Sequence, residues 1–251
     1  MEHIVKPALI LTLIVFFSAL VLSYARKITD PYILSQEIDK QNQAVKLVLH
    51  GYTIGEELIA KLDDDTKFSY WIGTKIEDNA DDADNKDGIE KNAYAFISTT
   101  HGYSGEIKSI VGVDENNKIL GISIIKQSET PGLGDKVNER PDRETIRSAL
   151  FGNSYSSNRE TTPWFQKQFV GIDLNKKIVI LKNELWTREI SNELIDKNAI
   201  VAITGATVTT KSIANGIQDS LIKLKKARFI IEQDIVNLND WITTPPQAAW
   251  Q

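Results

Sequence analysis

The feature that most constrains this fold is an uncharged run of nineteen residues near the amino terminus, Pro7 to Ala25. An α-helix rises about 1.5 Å per residue, so the run would be roughly 28 Å long, close to the thickness of a bilayer's hydrocarbon core. A cleaved signal peptide is the alternative, because Lys6 supplies a basic start and Ala25 is small. The run is longer than a typical signal-peptide core, and no clear A-x-A site closes it. We therefore predict a retained transmembrane helix over 7–25, after a short segment 1–6.

The charges beside this run do not fix its orientation. Lys6 precedes the run, whereas Arg26 and Lys27 follow it with Asp30 nearby. Positive residues therefore lie on both sides, and the positive-inside rule does not choose between them.

Composition excludes several classes of function. Asp and Glu number 34 against 29 Lys and Arg, and the net charge of −5 argues against nucleic acid as a partner. The sequence has no cysteine, which excludes iron–sulfur clusters, thiolate metal sites and disulfides on this chain. His3, His50 and His101 show no paired spacing typical of metal ligands, so none is assigned to metal binding or acid–base chemistry. If electrons pass through this chain, an organic cofactor must carry them.

The remaining residues predict an α+β fold. A juxtamembrane helix is expected within 36–62. Residues 26–90 would contain this helix and the first part of the large domain. The domain core is placed at 91–235 and a tail at 236–251. An antiparallel hairpin is expected where β-branched and aromatic residues flank the turn Asp114–Asn117. Its strands, with one preceding strand, are predicted at 94–98, 107–113 and 119–125.

Further elements follow from local patterns. The acidic run 78–87 is predicted to be a surface loop, because a calcium loop with Gly88 at its sixth position would place Ala83 at the first ligand. A short helix is expected at 143–150 and a strand at 177–181. A long helix follows a cluster of threonines, and one apolar face is formed by Ile213, Ile217, Leu221 and Leu224. The end of the tail, 241–251, is expected to be irregular.

The run Thr204–Thr210, TGATVTT, combines a short Gly-Ala turn with hydroxyls in front of the long helix. A helix amino terminus offers free N–H groups and the positive end of its dipole to a phosphate. Gly205 and Ala206 would let the backbone approach that phosphate, and the hydroxyls of Thr204 and Thr209 could donate to it. Thr207, with Val208 beside it, would place a hydroxyl where the phosphate sits. An ordinary helix cap is the alternative.

Four segments resemble one protein family in the same order along the chain. They are KPALILTLI at the apolar run, HGYSGEI at 101–107, SETPGLG at 128–134, and TGAT at 204–207. Together they resemble the G subunit of the Rnf electron transport complex. The C subunit of the sodium-pumping NADH:quinone reductase is its close relative and remains an alternative. The GYSG sequence and the segment 168–171 favour the Rnf family.

The resemblance implies one FMN-binding domain with an antiparallel sheet and flanking helices. It implies that FMN is attached to Thr207 as a phosphoester, installed by a flavin transferase of the ApbE type. Thr207 would then be a tether and not a catalytic nucleophile. The residues placed against the flavin ring are Glu129, Thr130, Leu133 and Gly134. Tyr103 is assigned either to the same pocket or to packing in the core.

The resemblance also implies a setting for the protein. It predicts a single-pass protein of the inner membrane, anchored in the lipid bilayer, with its large domain on the periplasmic or extracellular side. Its partners would be other subunits of an ion-translocating complex, and it would pass electrons without complete catalytic activity of its own. A non-redox anchored module, in which TGAT is only a helix cap, is the alternative from another class.

Two positions depart from the family pattern. Val201 stands three residues before Thr204, where the family motif usually carries an aspartate. The stretch 138–162 is longer than the usual link between the SETPGLG loop and the aromatic segment 163–165, and is expected to be a surface insertion.

Overall fold

The structure is a computed structural model that describes residues 2–62, 66–77, 89–139, 162–182, 187 and 190–243. It divides into two compact units, Met1–Gln43 and Ala44–Gln251. The predicted acidic loop 78–87, the predicted helix 143–150 and nearly all of the stretch 138–162 lie outside the described residues. Residues 244–251 of the predicted irregular tail also lie outside them.

The first unit consists of most of one long helix, α1, which runs from Glu2 to Val48. Its apolar part is exposed along its whole length, and by length and composition this helix could cross a membrane. A water-exposed surface of this kind would be unfavourable, because burying apolar area is worth about 25 cal/mol per Å².

The prediction of a juxtamembrane helix reaching residue 62 is wrong in its extent. Helix α1 continues without a break through the predicted span and ends at Val48. Gly51 follows with a φ of +86°, the left-handed conformation that commonly ends helices. The chain then forms strands β1, Thr53–Ile54, and β2, Leu58–Lys61. Both pair with a third strand, and that long-range pairing overrides local helical spacing.

The second unit is built on an antiparallel sheet whose described strands follow one another in space. Strand β3 spans Lys67–Glu77, β4 Ile89–His101, β5 Glu106–Asp114 and β6 Ile119–Lys126. They lie in the order β3-β4-β5-β6, and β1 and β2 both pair along the free edge of β3.

The predicted hairpin is confirmed as β5 and β6. Its turn is held by Asp114, whose Oδ1 accepts hydrogen bonds from the amides of Asn116 at 2.9 Å and Lys118 at 2.8 Å. Asn117 adopts a φ of +63°, which asparagine tolerates better than most residues. The strand predicted at 94–98 is the centre of the longer β4.

Alternating side chains divide the sheet into two buried faces. On one face, Tyr94 and Phe96 of β4 join the main hydrophobic core, while Ala93 and Ala95 face the other way. That second face packs against the end of α1, where Val48 approaches the sheet. A Cβ on Gly112 would lie 2.7 Å from the Val48 carbonyl oxygen, so glycine permits this close packing.

The elements that follow β6 include short helices and a second pair of strands, and residues such as Phe165 and Ile200 from them join the main core. A 3₁₀ helix spans Gly134–Asn138, α2 spans Trp164–Lys167 and α3 spans Ser191–Asp196. Strands β7, Val179–Leu181, and β8, Ala199–Val201, form a separate parallel pair. Strand β7 confirms the predicted strand in this region, whereas β8 was not predicted.

The last described element is helix α4, Thr207–Thr243, so the prediction of an irregular end is wrong for residues 241–243. Its predicted apolar face is confirmed, because the four residues that define it are all buried in the main core: Ile213, Ile217, Leu221 and Leu224. Thr100 of β4 donates a hydrogen bond to the carbonyl of Ser212, at 3.1 Å. The Arg228 guanidinium lies 3.9 Å from the centre of the Tyr94 ring. The α+β class with helices flanking an antiparallel sheet is therefore confirmed.

Candidate functional site

The turn that leads into α4 is held by hydrogen bonds. The amide of Ala206 donates to the carbonyl of Ile203 at 2.9 Å, and Gly205 between them has a φ of +80°. This is the arrangement of a type II turn, which requires glycine or asparagine at its third position. The Thr210 hydroxyl accepts from the Ile203 amide at 3.2 Å and donates to the Ala206 carbonyl at 3.2 Å. The turn and the first helical turn are thus joined.

The amino terminus of α4 offers unpaired amides. Thr210 donates its amide to Ala206 at 3.1 Å, as in a regular helix. The three preceding amides, those of Thr207, Val208 and Thr209, have no carbonyl partner within the helix. Thr207 is half-buried and Val208 is exposed. An anionic group at this position would meet free N–H donors and the positive end of the helix dipole.

The SETPGLG loop, 128–134, lies opposite this turn. It is closed by hydrogen bonds from the amide of Leu133 to the carbonyl of Thr130, at 3.2 Å, and between the hydroxyls of Thr130 and Ser104, at 2.9 Å. The two loops touch, because a Cβ added to Gly205 would lie 2.9 Å from Leu133 Cδ2. Leu133 remains 44% exposed, so it forms part of a wall and not part of the core.

A pocket of about 430 Å³ opens between the two loops. This volume lies within the range of pockets that bind small molecules and cofactors. Ten of the eleven residues predicted from the sequence line it: Tyr103, Glu129, Thr130, Leu133, Gly134, Gly205, Ala206, Thr207, Val208 and Thr209. The eleventh, Thr204, is exposed in the turn and is not among the residues lining this pocket.

Tyr103 belongs to the rim of this pocket. It lies in the connection between β4 and β5, and its side chain is 75% exposed. The alternative expectation, a tyrosine packed into the core at the end of a strand, is therefore wrong. An exposed aromatic ring beside a pocket can cover a flat ligand.

The hydroxyl of Thr209 does not have the hydrogen-bond acceptor that was predicted for it. It was expected to donate to a phosphate, but it donates to Glu129 Oε2 at 2.6 Å and its residue is completely buried. The other carboxylate oxygen, Oε1, accepts from the amide of Ser104 at 3.1 Å. Glu129 is only 7% exposed and, among the described residues that line the pocket, it is the one that carries a charge.

Sequence reasoning missed residues that support the site. Ser104 and Gly102 lie within a segment noted for its glycines, but their contacts to Glu129 depend on residues far away in the chain. Gln168 accepts a hydrogen bond from the amide of Val201 at 2.7 Å and so fixes β8 just before the turn. Val201 itself is buried beside Leu194. No local pattern marks these contacts, because each joins distant segments.

The structure provides no metal centre among its described residues: no group of three His, Cys, Asp or Glu side chains there could hold an ion. His101 lies exposed at the end of β4 and does not line the pocket. The residues that line the pocket offer amides, hydroxyls, one carboxylate and an apolar rim.

Comparison with known proteins connects this site with a cofactor. Residues 102–222 match the family model of the FMN-binding domain. This segment contains the pocket and both of its loops. The family resemblance expected from the sequence is thereby confirmed.

The curated relatives are subunits of membrane complexes. The G subunit of the Na⁺-translocating ferredoxin:NAD⁺ oxidoreductase complex of Acetobacterium woodii is 33% identical over 122 residues, covering 49% of this chain and 44% of that protein. The G subunit of the ion-translocating oxidoreductase complex of Haemophilus influenzae is 34% identical over 103 residues, covering 38% and 48%. The chain thus spans about half the length of these relatives.

Two further matches extend over more of the chain. The G subunit of the proton-translocating ferredoxin:NAD⁺ oxidoreductase complex of Clostridium ljungdahlii is 23% identical over 211 residues, covering 84% of this chain and 86% of that protein. A solved structure, that of the C subunit of the Na⁺-translocating NADH-quinone reductase of Parabacteroides distasonis, aligns with a TM-score of 0.45 at 17% identity. The alignment covers 74% of this chain and 89% of that one.

Proposed function

We propose that this chain, whose residues 102–222 match the FMN-binding domain, is a membrane-anchored flavoprotein subunit of an Rnf-type ion-translocating electron transport complex. The observation that carries the proposal is the pocket between the SETPGLG loop and the amino terminus of α4. Its volume and its amide donors are compatible with FMN. Relatives of the chain are named as subunits of such complexes.

The two ends of the pocket differ in chemistry, as FMN requires. The unpaired amides of Thr207, Val208 and Thr209 suit a phosphate, because a helix amino terminus favours negative charge. Across the pocket, Leu133 and Tyr103 present exposed apolar surface that can cover a flat ring and exclude water from it. FMN supplies the electron transfer chemistry when bound, and the chain supplies binding, orientation and electrostatics.

We propose further that the hydroxyl of Thr207 carries the phosphate as an ester. Thr207 is the half-buried hydroxyl residue at the first position of α4, whereas the hydroxyls of Thr209 and Thr210 already have partners within the protein. A flavin transferase of the ApbE type would install the group from FAD: the Thr207 oxygen bonds to the phosphorus of the FMN half, the pyrophosphate bond of FAD breaks, AMP leaves and the hydroxyl proton is released. Thr207 therefore needs no neighbouring general base for turnover.

The attachment is tested by intact mass of the full chain produced together with a flavin transferase. The parent protein should gain one FMN-sized addition, which Thr207→Ala abolishes and Thr207→Ser retains, since serine keeps the hydroxyl. Peptide mapping should place the addition at residue 207. An addition that survives Thr207→Ala, or that maps to Thr209 or Thr210, would refute the assignment.

We also propose that α1 anchors the protein in the inner membrane, with the large domain on the periplasmic or extracellular side. The chain has no native cysteine, so single cysteines can report the side of the membrane. A membrane-impermeant maleimide should label Lys223→Cys, an exposed position on α4, in intact spheroplasts. Lys6→Cys should react only after lysis. The reverse pattern would place the domain in the cytoplasm.

Two alternative functions can be distinguished from the proposed one by direct measurements. A non-redox binding module would show no flavin absorbance, so a spectrum of purified protein after denaturation and desalting distinguishes it from a flavoprotein. Co-purification distinguishes the complexes, because the Rnf proposal expects subunits of a ferredoxin:NAD⁺ oxidoreductase. Recovery with subunits of a Na⁺-translocating NADH:quinone reductase would instead assign the chain as the C subunit of that enzyme.

A further inference from the structure

Glu129 joins three segments that are far apart in the sequence. It belongs to the SETPGLG loop, and its Oε1 accepts the amide hydrogen of Ser104 from the connection between β4 and β5, at 3.1 Å. Its Oε2 accepts the hydroxyl hydrogen of Thr209, in the first turn of α4, at 2.6 Å. Both partners donate to a buried carboxylate, and hydrogen bonds to charged groups are roughly twice as strong as neutral ones.

Two glycines leave room for this carboxylate. A Cβ on Gly102 would overlap Glu129 Oε1, and a Cβ on Gly134 would lie 2.5 Å from Oε2. Neither glycine has a positive φ, so the backbone at these positions suits any residue. Glycine is therefore required at 102 and 134 for space, because a side chain at either position would meet the Glu129 carboxylate. A methyl group at 102 would push the carboxylate away from its donors.

We infer that Glu129 is a positioning residue which, through Thr209, holds the first turn of α4 so that the Thr207 hydroxyl is correctly placed for FMN attachment. This inference rests on the proposed function, in which Thr207 carries the flavin. Thr207 and Thr209 lie in the same helical turn, about 3 Å apart along its axis. Small displacements of a reacting group can reduce rates by orders of magnitude.

The role of Glu129 is distinct from contact with the flavin ring. Both of its oxygens accept hydrogen bonds from protein donors, so the carboxylate is used to hold the loop and the helix. A glutamine could keep both contacts: its carbonyl would accept from Ser104, and its amide would donate to the hydroxyl oxygen of Thr209. Glutamine therefore removes the charge and keeps the connection, whereas alanine removes both.

The experiment compares variants of the full chain in detergent by two measurements. The first is the rate at which a flavin transferase supplied with FAD adds FMN, with release of AMP, followed by intact mass. The second is hydrogen–deuterium exchange of the flavin-free protein in peptides covering Ser104 and the first turn of α4. The variants are Glu129→Ala, Thr209→Val, their combination, Glu129→Gln and Gly102→Ala. Thr100→Val is the matched control, because it removes another threonine hydroxyl bonded to the same helix.

The expected loading rates form a pattern that a general loss of stability would not give. Glu129→Ala, Thr209→Val and Gly102→Ala should each load FMN at least about tenfold more slowly than the parent. The double variant should be no slower than either single variant, since both act through one contact. Glu129→Gln should recover most of the lost rate. Thr100→Val should load at the parent rate.

Exchange in the flavin-free protein tests the contact itself. It should be faster in both peptides for Glu129→Ala and Gly102→Ala, and unchanged there for Thr100→Val. Parent-like exchange in Glu129→Ala, parent-like loading in that variant, or additive losses in the double variant would each overturn the inference. If exchange responds as expected but the parent takes up no FMN, the proposed function fails together with the loading role. The carboxylate would then be a structural connection only.

Discussion

Gly205→Ala offers a sharp test of how the two pocket loops meet. Gly205 has a φ of +80°, and a Cβ there would lie 2.9 Å from Leu133 Cδ2. The substitution therefore introduces two effects, backbone strain and a contact with the opposite loop. Gly51→Ala introduces only the first, because Gly51 has a φ of +86° and nothing within 4 Å of an added Cβ.

The strain should lower the stability of both variants, whereas the contact should change the shape of the pocket in only one of them. An L-residue in the left-handed region costs about 1–2 kcal/mol, so both variants should lose that much free energy of unfolding. The additional contact should cost less than about 1 kcal/mol, since Leu133 is partly exposed and its tip can move towards solvent. The Leu133 wall of the pocket, however, must shift in Gly205→Ala alone.

The assay combines urea unfolding with the visible spectrum and fluorescence of the flavin-loaded protein. The losses of unfolding free energy in the two variants are expected to differ by less than about 1 kcal/mol. An altered flavin spectrum or weaker fluorescence quenching is expected only for Gly205→Ala. Leu133→Ala removes the contacted methyl, so adding Gly205→Ala to it should cause no further spectral change.

A different outcome would refute this reasoning. If flavin in Gly205→Ala has the same spectrum and quenching as in Gly51→Ala, Leu133 does not form a wall beside the ring. A loss of stability several kcal/mol larger for Gly205→Ala would show that Leu133 cannot move, and that the two loops form a rigid contact.

Three further predictions concern stability, each measured by urea unfolding of the full chain. Phe165→Ala should lower the free energy of unfolding by about 3–5 kcal/mol, since this ring is fully buried in the main core. Gln168→Leu should cost about 1–3 kcal/mol, because it leaves the buried amide of Val201 without its acceptor. Burial, partly opposed by the nearby Arg228 charge, raises the pKa of Tyr70 and Tyr94. Their contribution to stability should be complete below about pH 10 and lost as the pH rises further, and replacing either with Phe should flatten that fall.

Elements with strong local patterns were predictable from the sequence. The β5–β6 hairpin follows from β-branched strands on both sides of a turn rich in Asp and Asn, whose side chains hydrogen-bond their own backbone. The buried face of α4 follows from apolar residues at helical spacing. The two pocket loops were found from motifs that resemble those of a known family, and the φ of +80° at Gly205 gives a physical reason for the glycine in one of them.

Elements that depend on distant partners were not predictable. The end of α1 at Val48 and the two strands after it are fixed by pairing with β3, which no periodicity in 53–61 reveals. Strand β8 has only three residues, all buried, and is defined by its parallel pairing with β7 and by Gln168. For such short segments, long-range hydrogen bonds outweigh local propensity.

The sequence by itself determined the apolar helix and the fold class through hydrophobic spacing, and it identified the ten residues that line the pocket through motifs that resemble those of a known family. Only the tertiary structure decided how those residues act. It turned Tyr103 outward to the rim, and it gave the Thr209 hydroxyl to Glu129, eighty positions away. The sequence does not show which acceptor a threonine hydroxyl will bond to. Its partner is fixed when folding buries it beside a carboxylate that needs hydrogen bonds.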